Sequence, residues 1–286
     1  MSDVLTIAGL ALRESLRRRV FAVVVVITLL FGGLYAWGVT QLFDDVSGFT
    51  RQAADAGLDA RTLAGATVLG VAMFGILFLG VVLATFLTLG AVRGDTERGL
   101  VQPLVVRPLG RSTYLAGRLL ASSAVSGAYV AVTFAGATIA TGRAGDWWPE
   151  RPVAAGALLV AAVVVVAALA LLGSVLLAAT ANGIAVLMLF GAGLIAGLLG
   201  EIGHGIGSHA LTRIADVSAW VLPFEALYRD ALAALVPHVG GITGAVIQLG
   251  PLGGSHPGSA WLVPYVVAYL AAAGSLAAWR FGRRDL

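Results

Sequence analysis

The sequence contains no cysteine and only three methionines. Disulfides, thiolate metal sites and cysteine nucleophiles are excluded together. No methionine-rich copper path exists, because Met73 and Met188 lie singly in apolar runs and the third methionine is the first residue. Lysine is absent too: all eighteen basic residues are arginine. A Walker A loop needs its lysine on the phosphates, so this chain cannot be a P-loop ATPase by itself. Charge of either sign is scarce, at 12% of residues against roughly 25% in soluble domains.

What fills the space is apolar. Hydrophobic residues make up 59% of the chain, and the mean hydropathy is +0.94. No soluble fold could hide that much apolar surface, so the chain reads as an integral membrane protein. Six runs are long enough for a hydrocarbon core of ~30 Å, which needs about 20 helical residues. They lie at residues 20–40, 63–92, 113–141, 153–180, 183–200 and 261–279. No barrel-type alternation appears, and lipid demands that every backbone group be paired, so helices are expected. Only Ala181 and Asn182 separate the fourth and fifth runs, which predicts a tight hairpin.

Residues 1–19 do not read as a signal peptide, because the arginines come late and the following run is too long. Val4, Ile7, Leu10, Ala11 and Ser15 fall on one side at helical spacing, and Arg13, Arg17, Arg18 and Arg19 cluster at the end. This pattern predicts an amphipathic helix on the membrane surface at its cytoplasmic face, with residues 20–286 forming the six-span domain. With the N-terminus inside, the inner segments hold twelve arginines (13, 17, 18, 19, 93, 98, 107, 111, 118, 280, 283, 284) and five acids (3, 14, 95, 97, 285). The outer segments hold six arginines (51, 61, 143, 151, 213, 229) against ten acids. That asymmetry predicts both termini in the cytoplasm.

Residues 201–260 form the one large outer region. Within it, 223–235 carries a helical stripe of Phe224, Leu227, Ala231, Leu232 and Leu235, with Pro223 at the first position and Glu225 four residues before Arg229. An interfacial helix that lies at the outer surface or dips in partway is expected. Residues 238–259 are dense in Gly and Pro and read as loop, re-entrant around 246–249. Glu201, His204 and His209 match no helical zinc spacing and read as a solvated glycine-rich loop. Gly193 and Gly197, four apart in the fifth run, suit close helix packing.

Charges inside spans usually mark ion or proton coupling, and the second, fourth and fifth runs carry none. A translocation path here would be apolar or lined by small hydroxyls such as Thr85, Thr88, Ser122, Ser123 and Ser126. No nucleophilic serine motif appears, and no basic patch interleaved with aromatics suggests nucleic acid.

The segment 93–112 stands apart. Between two apolar runs it sets Glu97-Arg98-Gly99, then an apolar stretch with Leu100 and Leu104, then Arg107-Pro108 and Arg111, leading to Gly117-Arg118. This resembles the loop between the second and third spans of ATP-binding-cassette exporter permeases of the ABCG-like (type V, or type-two) class. Leu100 stands where that family often has threonine, and Arg118 where it often has lysine. The basic leading helix is similar to the family's elbow helix, and Pro223-Phe224-Glu225 with Tyr228-Arg229 to its outer helix before the last span.

The resemblance implies an all-α polytopic permease with six transmembrane helices in a bacterial inner membrane. It implies no catalytic activity in this chain. Residues 93–112 would be a coupling helix seated in a separate ABC ATPase, through Glu97, Arg98, Gly99, Leu100, Leu104, Arg107, Pro108 and Arg111. ATP and Mg would sit on two ATPase copies, with none bound here, and a second permease copy or paralogue would complete the assembly. The permease of copper-enzyme maturation systems shares this layout. An uncoupled channel or secondary carrier is the reading of a different class.

Overall fold

The computed structural model describes residues 7–12, 19–55, 59–89, 111–236 and 261–283. Eight long helices occupy them, and no strand occurs among the described residues. They are α1 (Arg19–Asp55), α2 (Ala60–Thr88), α3 (Arg111–Gly145), α4 (Pro152–Leu176), α5 (Ala179–Ile206), α6 (His209–Val221), α7 (Pro223–Ala233) and α8 (Leu262–Gly282). Six of these, α1 to α5 and α8, are long and apolar enough to cross a membrane. Residues 7–12 are helical; the rest of the surface helix expected before Arg19 lies outside the described residues.

α4 is the hub. It touches α2, α3, α5, α7 and α8. That explains its sequence, which is apolar on every side with no charged residue from Pro152 to Leu176. A helix surrounded by neighbours has no face left for polar side chains. Leu159, Val163, Val166 and Ala170 are buried against Leu69, Met73, Leu77 and Val81 of α2. The start of α2 is set by Asp59, whose Oδ1 accepts from the Thr62 amide at 3.1 Å and whose Oδ2 accepts from the Thr62 hydroxyl at 2.6 Å.

α1 lies at the rim against α2 and α3. Its 37 residues reach about 55 Å, well past the apolar run ending at Thr40. Two hydroxyl pairs tie it to α3: Thr28 with Tyr129, and Tyr35 with Thr141, each at 2.6 Å. Val23, Ile27, Leu30, Leu34 and Trp37 face outward.

The α4–α5 hairpin turns at Leu177 and Ala178, earlier than the sequence suggests. Asn182 is not in the turn. It is fully buried in the first turns of α5, and its Nδ2 donates to the Ala170 carbonyl at 2.8 Å. Gly173 leaves the room that its side chain occupies.

The largest departure from expectation follows α5. Residues 201–206 do not form a loop; they continue α5 to Ile206. Gly207, at φ 69°, then stops the helix in the left-handed conformation that glycine adopts without strain. α6 returns along α5, with Ala215 against Gly200 and Leu211 against Gly203. The chain breaks at Leu222–Pro223, and α7 runs back to the end where α6 began. There the Glu150 amide donates to the Leu235 carbonyl at 3.0 Å, and the Arg151 amide to the Ala234 carbonyl at 3.2 Å. At 13 and 11 residues, α6 and α7 are each too short to cross ~30 Å. They form a helical hairpin that enters and leaves at one end. The helix expected over 223–235 is therefore present, but it is packed into the bundle: Phe224, Leu227, Ala231 and Leu235 are buried.

Candidate functional site

Up-and-down order gives the bundle two chemically different ends. One collects the start of α1, the end of α2, the start of α3, the α4–α5 turn and the end of α8. Among the described residues this end carries Arg19, Arg111, Arg118, Arg280 and Arg283 and no acid. Arg283 lies 4.1 Å from the Trp279 ring centroid and Arg280 5.4 Å, while Arg118 sits 5.8 Å from that of Tyr114. Such arginine–aromatic pairs suit a membrane–water boundary. The other end holds ten acids (44, 45, 55, 59, 146, 150, 201, 216, 225, 230) and six arginines (51, 61, 143, 151, 213, 229) among the described residues.

The segment singled out in the sequence is flanked by Leu89, which caps α2, and Arg111, which opens α3, both at the arginine end. Glu97, Arg98, Gly99, Leu100, Leu104, Arg107 and Pro108 lie outside the described residues. Residues 237–260, with the loop expected around 246–249, do so too.

The acidic end contains the most polar contact inside the bundle. Glu225, on the first turn of α7, is 3% exposed. Its Oε1 lies 2.8 Å from Arg229 Nε, one helical turn on. The Arg229 Nη1 also reaches Glu201 Oε1 of α5 at 3.8 Å. Gly193 and Gly197 are on the face of α5 that meets this unit. A Cβ at Gly193 would stand 2.6 Å from Phe224 Cζ, and one at Gly197 would overlap the Glu225 carboxylate. Both glycines therefore serve contacts inside one chain.

Burial pushes the Glu225 carboxyl up to about 7; Arg229 opposes the rise, and Glu201 and Asp230 add to it. The i,i+4 pair is readable from sequence. The reach to Glu201 is not, since it depends on α6 folding back, and the glycine-rich stretch hides that turn.

Four of the five small hydroxyls expected along a path bond their own helices, while the Oγ of half-buried Ser123 has no hydrogen-bond partner among the described residues. Thr85 donates to Val81, Thr88 to Ala84, Ser122 to Leu119 and Ser126 to Ser122, all on their own helices. All four are buried where α2 and α3 sit within the chain. His204 continues α5, and its Nδ1 donates to the Gly200 carbonyl at 2.8 Å. Among the described residues no group of three or more His, Asp or Glu could hold a metal.

The chain as a whole matches a known family. The model of the family described as ABC-2 family transporter protein matches residues 5–286. The chain belongs to this family. It is a multi-pass membrane permease subunit of an ABC transporter. No curated protein matches the sequence.

Proposed function

We propose that this ABC-2 permease is the passive half of an ATP-driven exporter. Its arginine end faces the cytoplasm of a bacterial cell, with both termini there. Residues 93–112 dock into a separate ABC ATPase. Arg98, Arg107 and Arg111 pair with carboxylates on that partner, and Leu100 and Leu104 bury a small apolar ridge. ATP and Mg bind the two ATPase copies, and their closure tilts the spans through this loop.

The observation that carries the reading is the end-to-end charge difference: among the described residues, five arginines and no acid at one end, ten acids against six arginines at the other. That α2 ends and α3 begins at the arginine end supports docking through the residues between them.

Two permease copies, or this chain and a paralogue, complete the assembly, with the path between them. Exposed apolar side chains on α2 (Val71, Phe74, Phe78) and α5 (Ile184, Met188, Ile195) support a path bounded by the second and fifth spans. With Thr85, Thr88, Ser122 and Ser126 buried inside the chain, that path is apolar. It suits amphipathic or lipid-like cargo.

The test is purification of the tagged full chain from its native membrane. An ABC ATPase is expected to come with it and to hydrolyse ATP. A chain that purifies alone and moves solute in vesicles without nucleotide overturns the proposal.

A further inference from the structure

α8 fixes the depth of its neighbours. Its 21 residues reach about 31 Å, close to the ~30 Å of a hydrocarbon core. Exposed Trp261 stands immediately before it and exposed Trp279 near its far end, where indoles mark the two membrane boundaries. Tyr265, one turn into α8, donates to the Trp220 carbonyl of α6. Trp220 therefore lies about 6 Å inside the boundary at the acidic end. α6 runs along α5, so the path back from Trp220 to its start leads outward. Arg213, seven residues back, comes about 10 Å higher, just outside the hydrocarbon at the level of lipid phosphates. His209 is one turn further out.

One face of α6 grades along this axis. His209 and Arg213, four residues apart, are exposed on its outer part; Ile214, Val217, Trp220 and Val221 are exposed below them. A cavity of about 670 Å³ opens on this face, lined by His209, Ala210, Arg213, Ile214 and Val217. Such a volume lies within the roughly 300–1,000 Å³ of small-ligand sites. The opposite face is taken, since Leu211 and Ala215 pack on Gly203 and Gly200 of α5.

Arg213 makes no ion pair with a described residue. Its guanidinium can offer two parallel N–H groups to a phosphate, and the His209 ring offers an N–H in either tautomer. Asp216, three residues on, is exposed at the edge of the face and is not part of the cavity lining. In water its repulsion is weak beside a bidentate contact. Nitrogen donors stand above an apolar strip, in the order in which a phospholipid carries its phosphate above its acyl chains.

We propose that the outward face of α6 binds an anionic phospholipid of the leaflet at the acidic end, with the phosphate on Arg213 and His209 and an acyl chain along Val217, Trp220 and Val221. A zwitterionic lipid offers the same phosphate, but its own cation cancels the charge that Arg213 attracts. The inference concerns lipid held by the hairpin and is independent of ATPase docking.

The test uses the full chain in phosphatidylcholine vesicles with a trace of phosphatidylglycerol that carries a diazirine in one acyl chain. After photolysis, mass spectrometry of peptides reads where the label attaches. Label is expected on residues 214–221, and excess unlabelled phosphatidylglycerol should reduce it several-fold while added phosphatidylcholine leaves it. Arg213→Gln combined with His209→Gln is expected to lose the label several-fold. Arg143→Gln, at another exposed arginine of the same end, should leave it unchanged. Equal competition by phosphatidylcholine, or label that persists in the double variant, overturns the proposal. So does an equal loss in Arg143→Gln, which would report bulk charge. Two further results assign the face to another occupant and also overturn it. One is label that ATP turnover chases off in the native complex, the mark of cargo in transit. The other is a disulfide between two copies carrying a cysteine at Val217, the mark of a second chain on this face.

Discussion

The Tyr269 hydroxyl of α8 donates to the Val221 carbonyl at the tip of the α6–α7 hairpin, at 2.9 Å. The break at Leu222–Pro223 leaves the last carbonyls of α6 without helical partners, and proline brings no amide to replace them. Tyr269 satisfies one and Tyr265 its neighbour at Trp220, with the Trp220 and Tyr265 rings edge-to-face at 4.7 Å. Backbone groups away from water must be paired within the protein, so α8 is what allows the hairpin to bend where it does.

Tyr269→Phe removes that donor and keeps the ring. A loss of about 0.6–1.5 kcal/mol is expected. Hydrogen exchange of the full chain in detergent checks it: amides of Phe224 and Glu225 should exchange faster, while those of α4 should not change.

Gly193 and Gly191 lie two residues apart on α5 with different surroundings. A Cβ at Gly193 meets Phe224 and Leu222, whereas one at Gly191 meets nothing within 4 Å. Gly193→Ala should cost about 1–3 kcal/mol by overpacking. Gly191→Ala should be neutral or stabilising by up to about 1 kcal/mol, through helix propensity. Thermal unfolding of the two variants side by side separates a packing requirement from a general need for flexible helix.

The charge asymmetry predicts sidedness. A cysteine at Ser208, at the hairpin entrance, should react with an impermeant maleimide added to intact cells. One at Ser2 should react only after the membrane is opened. The reverse pattern would invert the topology.

The six spans were legible because each apolar run exceeds what a buried soluble helix needs, and the most apolar, α4, announces its central place by carrying no charged residue. α6 was not legible. Arg213 and Asp216 interrupt it, and Gly203, Gly205 and Gly207 before it read as loop. Only the structure shows that Gly203 lies within α5, facing α6, while Gly207 alone makes the turn. The stripe of α7 was visible from Phe224 to Leu235, but its burial depends on the apolar wall of α4. Glu225 with Arg229 could be read at i,i+4, while Glu201, 28 residues before Arg229, could join them only through the fold. The bonding of the hydroxyls was not legible, because a serine or threonine in a helix bonds its own backbone as readily as it lines a path.

The central claim is that residues 93–112 are the handle by which an ATPase moves this permease. Site-specific photocross-linking in the purified complex tests it most directly, with a benzophenone side chain at Leu104 and, as the opposite-end control, at Ser208. The account predicts a cross-link to the ATPase subunit from Leu104, none from Ser208, and loss of the Leu104 product when Arg107→Glu is added. An ATPase that cross-links from Ser208, or fails to cross-link from Leu104 while still hydrolysing ATP in the complex, would contradict it.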